Sequence, residues 1–233
     1  VPALPRPIPV LIASRNATPK GNVLLVHGRN GAPDQPQIAE IAEAYLAAGW
    51  RVIAPELPNS SALLESGPAS ELTLTGHLAA AAEAWHWVLS EWPSETCALA
   101  GHSIGAFVIA HLAAGTPTTH HVLAVSPAVS GLALLDARRA MGPPAVAELE
   151  REAPLFRAEM ETQDAAPALA RTNARLGVVT GAEDGIVPIS YARTYFASAG
   201  NGRFFGALPG EHHCPAGPAC ADMLKAALAA LGA

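Results

Sequence analysis

From Thr96 to Leu135 the chain runs forty residues without a single Asp, Glu, Lys or Arg. A stretch so free of charge either crosses a membrane or lies inside a protein core. A crossing helix needs about 20 mostly apolar residues in one uninterrupted piece. This stretch instead carries His102, His111, His120 and His121, several glycines, Pro117 and Pro127. It breaks into pieces of strand and helix length, and the reading is buried core with no membrane span.

The same alternation continues on either side. Val10–Ser14 is a weak strand, and Asn22–His27 a strong one between Gly21 and Gly28. Pro36–Ala48 places Ile38, Ile41, Ala42, Tyr45 and Leu46 at helical spacing, and Gly49 stops it. Strands follow at 51–55, 96–100, 122–126, 176–180 and 203–208, with helices at 74–92, 104–114, 189–199 and 218–231 between or after them. Strand and helix in strict turn predict a three-layer α/β sandwich: a mostly parallel central sheet with helices on both faces. One interval does not fit a simple crossover. About fifty residues separate the strand ending near Ser126 from the one starting near Leu176. Much of the local charge and Pro143, Pro144, Pro154 and Pro167 fall there, so 130–172 is read as a small helical cap inserted in a single domain spanning 1–233.

Composition removes other classes. Half the residues are hydrophobic, which excludes a disordered chain. The net charge of −6, with no cluster of Lys or Arg, leaves no electrostatic footprint for nucleic acid. Arg outnumbers Lys 12 to 2, a bias associated with GC-rich bacterial genomes. Three cysteines make no disulfide framework. Cys97 reads as a small buried filler; Cys214 and Cys220 could close a short loop, and zinc is not expected there. The Pro-rich start, Val1–Pro9, lacks the charged and apolar regions of a signal peptide, which slightly favours a cytoplasmic location and leaves an exported mature form open. Oligomeric state is not encoded legibly.

The segment Gly101-His102-Ser103-Ile104-Gly105 falls between a buried strand and an uncharged helix. A serine at such a turn lifts its hydroxyl above the sheet, and small flanking residues let the backbone take the strained bend. The helix behind it aims N–H groups and a positive dipole at any developing oxyanion. In this context the pattern reads as a nucleophile rather than a turn serine capping a helix.

With that motif the sequence resembles the α/β-hydrolase fold family over nearly its whole length, about Val10 to Leu231. The resemblance implies an oxyanion loop at His27-Gly28-Arg29-Asn30-Gly31, where the N–H of Arg29 would pair with that of Ile104. The Arg29 side chain is then free to vary, and a solvated loop arginine is preferred to a clamp for an anionic substrate. His27 is expected to support the loop by hydrogen bonding. The family's acid follows a late strand, which selects Asp184 in Gly181-Ala182-Glu183-Asp184-Gly185, with Glu183 as the fallback. Of the five aspartates, Asp34, Asp136, Asp164 and Asp222 lie in a loop, the cap and the last helix. The base lies in Gly210-Glu211-His212-His213, and the family's spacing after glycine favours His213, with His212 as the alternative. The order Ser103, Asp184, His213 is the one this fold uses. The histidines at 77, 86, 111, 120 and 121 are given no functional reading.

These residues imply a serine hydrolase acting on a carboxylic ester or thioester through an acyl-enzyme, with neither metal nor organic cofactor. Leu132, Leu134 and Leu135 beyond a strand end suggest a small-molecule substrate with an apolar portion. An acyltransferase, a C–C hydrolase or a peptidase could use the same residues, because a fold does not choose the bond. A non-catalytic binding module is the reading from a different class, and the presence of all three triad types weighs against it.

Overall fold

Strand segments such as Asn22–Val26 are buried at every residue, so each side chain must find a partner on one of two opposite faces. Alternation decides which. In the computed structural model, which describes residues 7–233, Leu24, Leu99, Val122 and Val178 join one core. Their neighbours Val23, Leu25, Ala98, Ala100, Leu123 and Val179 join another. The period of two thus feeds two separate cores from one sheet. Burying each such Leu or Val contributes about 1.5–3 kcal/mol, which pins the register, because a one-residue slip would exchange the faces.

The sheet comprises β1 (Val10–Ala13), β2 (Asn22–Val26), β3 (Arg51–Pro55), β4 (Cys97–His102), β5 (His121–Val125), β6 (Arg175–Gly181) and β7 (Gly202–Leu208). Their order is β1-β3-β2-β4-β5-β6-β7. Edge strand β1 is antiparallel to β3; every other pairing is parallel. Helices α1 (Pro36–Ala47) and α9 (Pro218–Leu231) cover one face. Helices α2 (Leu74–Glu91), α3 (Ile104–Gly115) and α8 (Ile189–Ala197) cover the other. The expected three layers are present. No helix among the described residues is long and apolar enough to cross a membrane. Residues 1–6 of the Pro-rich start lie outside the described residues.

The long interval between β5 and β6 holds four short helices: α4 (Gly131–Ala140), α5 (Pro143–Glu152), α6 (Pro154–Glu159) and α7 (Ala166–Arg171). Two of them start at a proline and α7 carries Pro167 as its second residue, positions in the first turn where the missing N–H costs nothing. Helix α4 starts before the charged residues do, because the Ser130 hydroxyl accepts from the Ala133 N–H at 3.1 Å and caps it. This corrects the reading of its leucines. Leu134 and Leu135 turn inward at 8% and 0% exposure while Leu132 is 47% exposed, so the three do not share one apolar surface. Two short 3-10 turns, at 64–66 and 69–71, were not expected from the sequence.

Candidate functional site

In a parallel sheet the carboxyl ends of the strands share one edge, and there the expected residues meet. Strand β4 runs through His102, two residues beyond the expected end, and delivers Ser103 at φ 58°, ψ −122°. A non-glycine residue at positive φ is strained. Two neighbours hold it: the Ser103 N–H donates to the Val125 carbonyl at 3.0 Å, and its carbonyl accepts from the Ala106 N–H at 3.0 Å. Gly105 is obligatory for the same turn. A Cβ there would lie 2.2 Å from the carbonyl oxygen of Val26, so only glycine lets α3 start this close to β2.

Asp184 follows β6 in a tight loop and divides its carboxylate between two tasks. Oδ1 accepts from the N–H groups of Ile186 and Val187, each at 2.8 Å. Oδ2 lies 2.8 Å from Nδ1 of His213. The side chain has no exposed surface, whereas Asp34, Asp136, Asp164, Asp222 and Glu183 are all exposed. His213 reaches the site from the loop after β7, with its Nε2 2.9 Å from the Ser103 hydroxyl. Its side chain is 13% exposed, against none for Asp184. His212 points away, is exposed, and donates from Nδ1 to the Glu183 carbonyl at 2.9 Å. Ser103, His213 and Asp184 thus form one hydrogen-bonded chain. Such a chain can pass a proton from a hydroxyl to an imidazole that a buried carboxylate holds in place.

The segment 28–31 passes beside the serine. A Cβ on Gly28 would come within 2.8 Å of the Ser103 Cβ, so the loop carrying the Arg29 N–H abuts the turn carrying the Ile104 N–H. Asn30 takes positive φ, and the Gln35 amide donates to its carbonyl at 3.1 Å. His27 sits beneath: its Nδ1 donates to the Gly28 carbonyl at 2.9 Å and its Nε2 accepts the Leu57 N–H at 3.0 Å. Burial holds its pKa below the usual value, consistent with a neutral structural ring. His77 donates to the His27 carbonyl at 3.0 Å; burial first, then His27, lowers it to about 3.

A sequence match to the family described as alpha/beta hydrolase fold covers residues 21–177. The chain belongs to the α/β-hydrolase fold family. Solved structures agree on the fold. Est1E from Butyrivibrio proteoclasticus, with ferulic acid bound, shares 16% identity at a TM-score of 0.76 over 94% of this chain and 93% of its own. A monoacylglycerol lipase from Paleococcus ferrophilus shares 20% identity at 0.61, over 89% and 91%. A putative non-heme bromoperoxidase, BpoC, from Mycobacterium tuberculosis H37Rv shares 19% at 0.62, over 92% and 91%. No curated protein matches by sequence.

Three features of this hydrolase depart from the sequence reading or were missed by it. Arg29 is not a solvated loop residue. Its side chain is 18% exposed, and Nη1 lies 3.5 Å from Glu152 at the end of α5. The pairing joins residues over a hundred positions apart, which local pattern cannot register. Arg138 of α4 lies near enough that Arg29 lowers its pKa, after burial. Secondly, Cys214 and Cys220 are both free; Cys214 is exposed and Cys220 buried. Burial pushes the Cys220 thiol up to about 12, and its Sγ donates to the Pro215 carbonyl at 3.4 Å. The base loop is held instead by main-chain contact, with the Glu183 N–H donating to the Glu211 carbonyl at 3.0 Å. Thirdly, His102 joins the site from the second position of the serine motif. Its ring lies 4.9 Å from the His213 ring, centroid to centroid. A histidine flanking the nucleophile was the available signal.

Proposed function

We propose that the chain is a serine hydrolase cleaving a carboxylic ester or thioester through an acyl-enzyme. The observation that carries this reading is the hydrogen-bonded line Ser103–His213–Asp184, at 2.9 and 2.8 Å, with the serine on a strained turn. His213 takes the Ser103 proton as the oxygen attacks the substrate carbonyl, and Asp184 fixes the Nδ1–H tautomer and stabilises the imidazolium. The N–H groups of Arg29 and Ile104 receive the oxyanion; a donor of this kind supplies about 3–4 kcal/mol. His213 then returns the proton to the leaving group and activates the water that releases the acid. Helices α4–α7 act as the cap of a single domain.

The substrate is a small molecule with an apolar portion. Support comes from the company the fold keeps, a monoacylglycerol lipase and a structure of Est1E with ferulic acid bound among its neighbours. A fluorophosphonate probe should label Ser103 and fail on Ser103→Ala. A panel of 4-nitrophenyl esters and acyl-thioesters of graded chain length should then show a chain-length optimum. An unlabelled Ser103, or ester turnover that survives its removal, would overturn the reading.

A further inference from the structure

His102 occupies the position between the two functional loops. It ends β4, and the side chain is 97% buried by its 3% exposure. On one side its Nε2 lies 2.8 Å from the main-chain carbonyl of His213. A carbonyl oxygen only accepts, so Nε2 carries the proton and Nδ1 is the bare nitrogen. On the other side a Cβ placed on Gly28 would come within 3.3 Å of that Nδ1. The ring therefore lies under the segment that brings the Arg29 N–H to the serine, and against the residue that brings the imidazole. Burial, and then His213, lower its pKa to about 3. At neutral pH it adds a fixed N–H dipole beside His213 without a competing positive charge.

Further along the base loop, the Pro215 carbonyl accepts from Cys220 and the Gly217 N–H donates to Glu40, but the ties that flank His213 lead to the acid's side of the site. The Glu183 N–H bonds the Glu211 carbonyl, and the His212 ring bonds the Glu183 carbonyl. They set the distance from His213 to Asp184. The distance from His213 to Ser103 has its own tie, and that tie is His102, one residue before the nucleophile on a rigid strand. We propose that His102 is a positioning residue: its hydrogen bond to the His213 carbonyl sets the base loop at reaching distance of the Ser103 hydroxyl. This rests on the serine-hydrolase reading above. A shift of about 1 Å in a reacting group can cost 100-fold in rate, so one misplaced loop is enough to matter.

The discriminating pair is His102→Gln and His102→Met. The two side chains match in length and bulk, and only glutamine donates a hydrogen bond from the Nε2 position. The glutamine variant should keep kcat within about fivefold of the parent. The methionine variant should lose roughly 10- to 100-fold in kcat with little change in KM, and fluorophosphonate labelling of Ser103 should slow in parallel. Equal rates for Gln and Met, or a loss confined to KM, would overturn the proposal while leaving the labelled serine standing. A parent chain unlabelled at Ser103 would overturn both. The tautomer supplies a test that needs no variant: imidazole nitrogen NMR of the unmodified protein should show His102 protonated at Nε2. A proton on Nδ1 instead would sink the proposal.

Discussion

The same parallel strands carry a histidine cluster at each end, and only one of them joins a buried carboxylate to a serine hydroxyl. At the amino ends, His121 opens β5, with its Nε2 2.9 Å from the Tyr45 hydroxyl and its Nδ1 2.7 Å from Nδ1 of His120. His120 in turn bonds the guanidinium of Arg175 at the start of β6. Tyr45 stacks on His121, and Trp50 packs edge-on against it. At the carboxyl ends stand Ser103, His213 and Asp184. Both clusters are chains of hydrogen bonds through imidazole. The lower chain ends in a cation and holds no carboxylate or strained nucleophile. Burial first, then His120, drives His121 to about 3, so it stays uncharged at neutral pH. The upper chain ends in a buried carboxylate, and its histidine keeps a little exposed surface. Hydrogen-bonded histidines by themselves are packing; an acid behind and a nucleophile ahead make a relay.

The comparison breaks most decisively at the serine. Ser103→Ala should lower ester turnover on the order of 10⁵–10⁶-fold, and His213→Ala should match it because members of one relay are not additive. Thermal unfolding of both variants should remain cooperative. Activity within tenfold of the parent would place the chemistry elsewhere. Asp184→Asn comes next, with an expected loss of about 10⁴-fold, since an amide cannot stabilise the imidazolium. Glu183→Gln should be mild, and the reverse ranking would move the acid by one residue.

Smaller effects sharpen the contrast. His212→Ala should retain at least about a tenth of the activity, because the lost contact is an exposed bond that only orients its neighbour. In the lower cluster, His121→Ala should leave kcat/KM of the folded protein within about twofold. It should cost stability by roughly 2–4 kcal/mol, from a cavity and an unpartnered Tyr45 hydroxyl, read by urea denaturation. Acid should expose the buried histidines as a group. His77, His102 and His121 have folded values near 3 against 6.5 when exposed. The unfolded chain therefore binds more protons between those limits, and stability should decline as pH falls from 6.5 toward 3. His121→Phe, which keeps the stacking, should make that decline shallower; an unchanged slope would mean His121 is not held neutral.

Burial pattern was readable because it is local. The uncharged strands announced the sheet, and Asp184 was the one aspartate in a loop directly after a buried strand. The preference for His213 over His212 came from the family's spacing after glycine, and the two rings point different ways. What stayed hidden was pairing between distant segments. Nothing near Arg29 signals Glu152, and nothing near His102 signals the carbonyl of His213. The leucines of α4 were misjudged because a capping serine started the helix early and turned two of them inward. Periodicity tells which residues are buried; it does not tell against what.

The wide separation of the three upper residues also bears on how the protein is made. Ser103 and His213 are 110 positions apart, and synthesis proceeds at about 5–20 residues per second. A growing chain thus carries the Ser103 hydroxyl for roughly 5–20 s before His213 exists. During that interval the serine has no partner to take its proton. Under the proposed mechanism, reactivity would switch on only when the loop after β7 docks against β6.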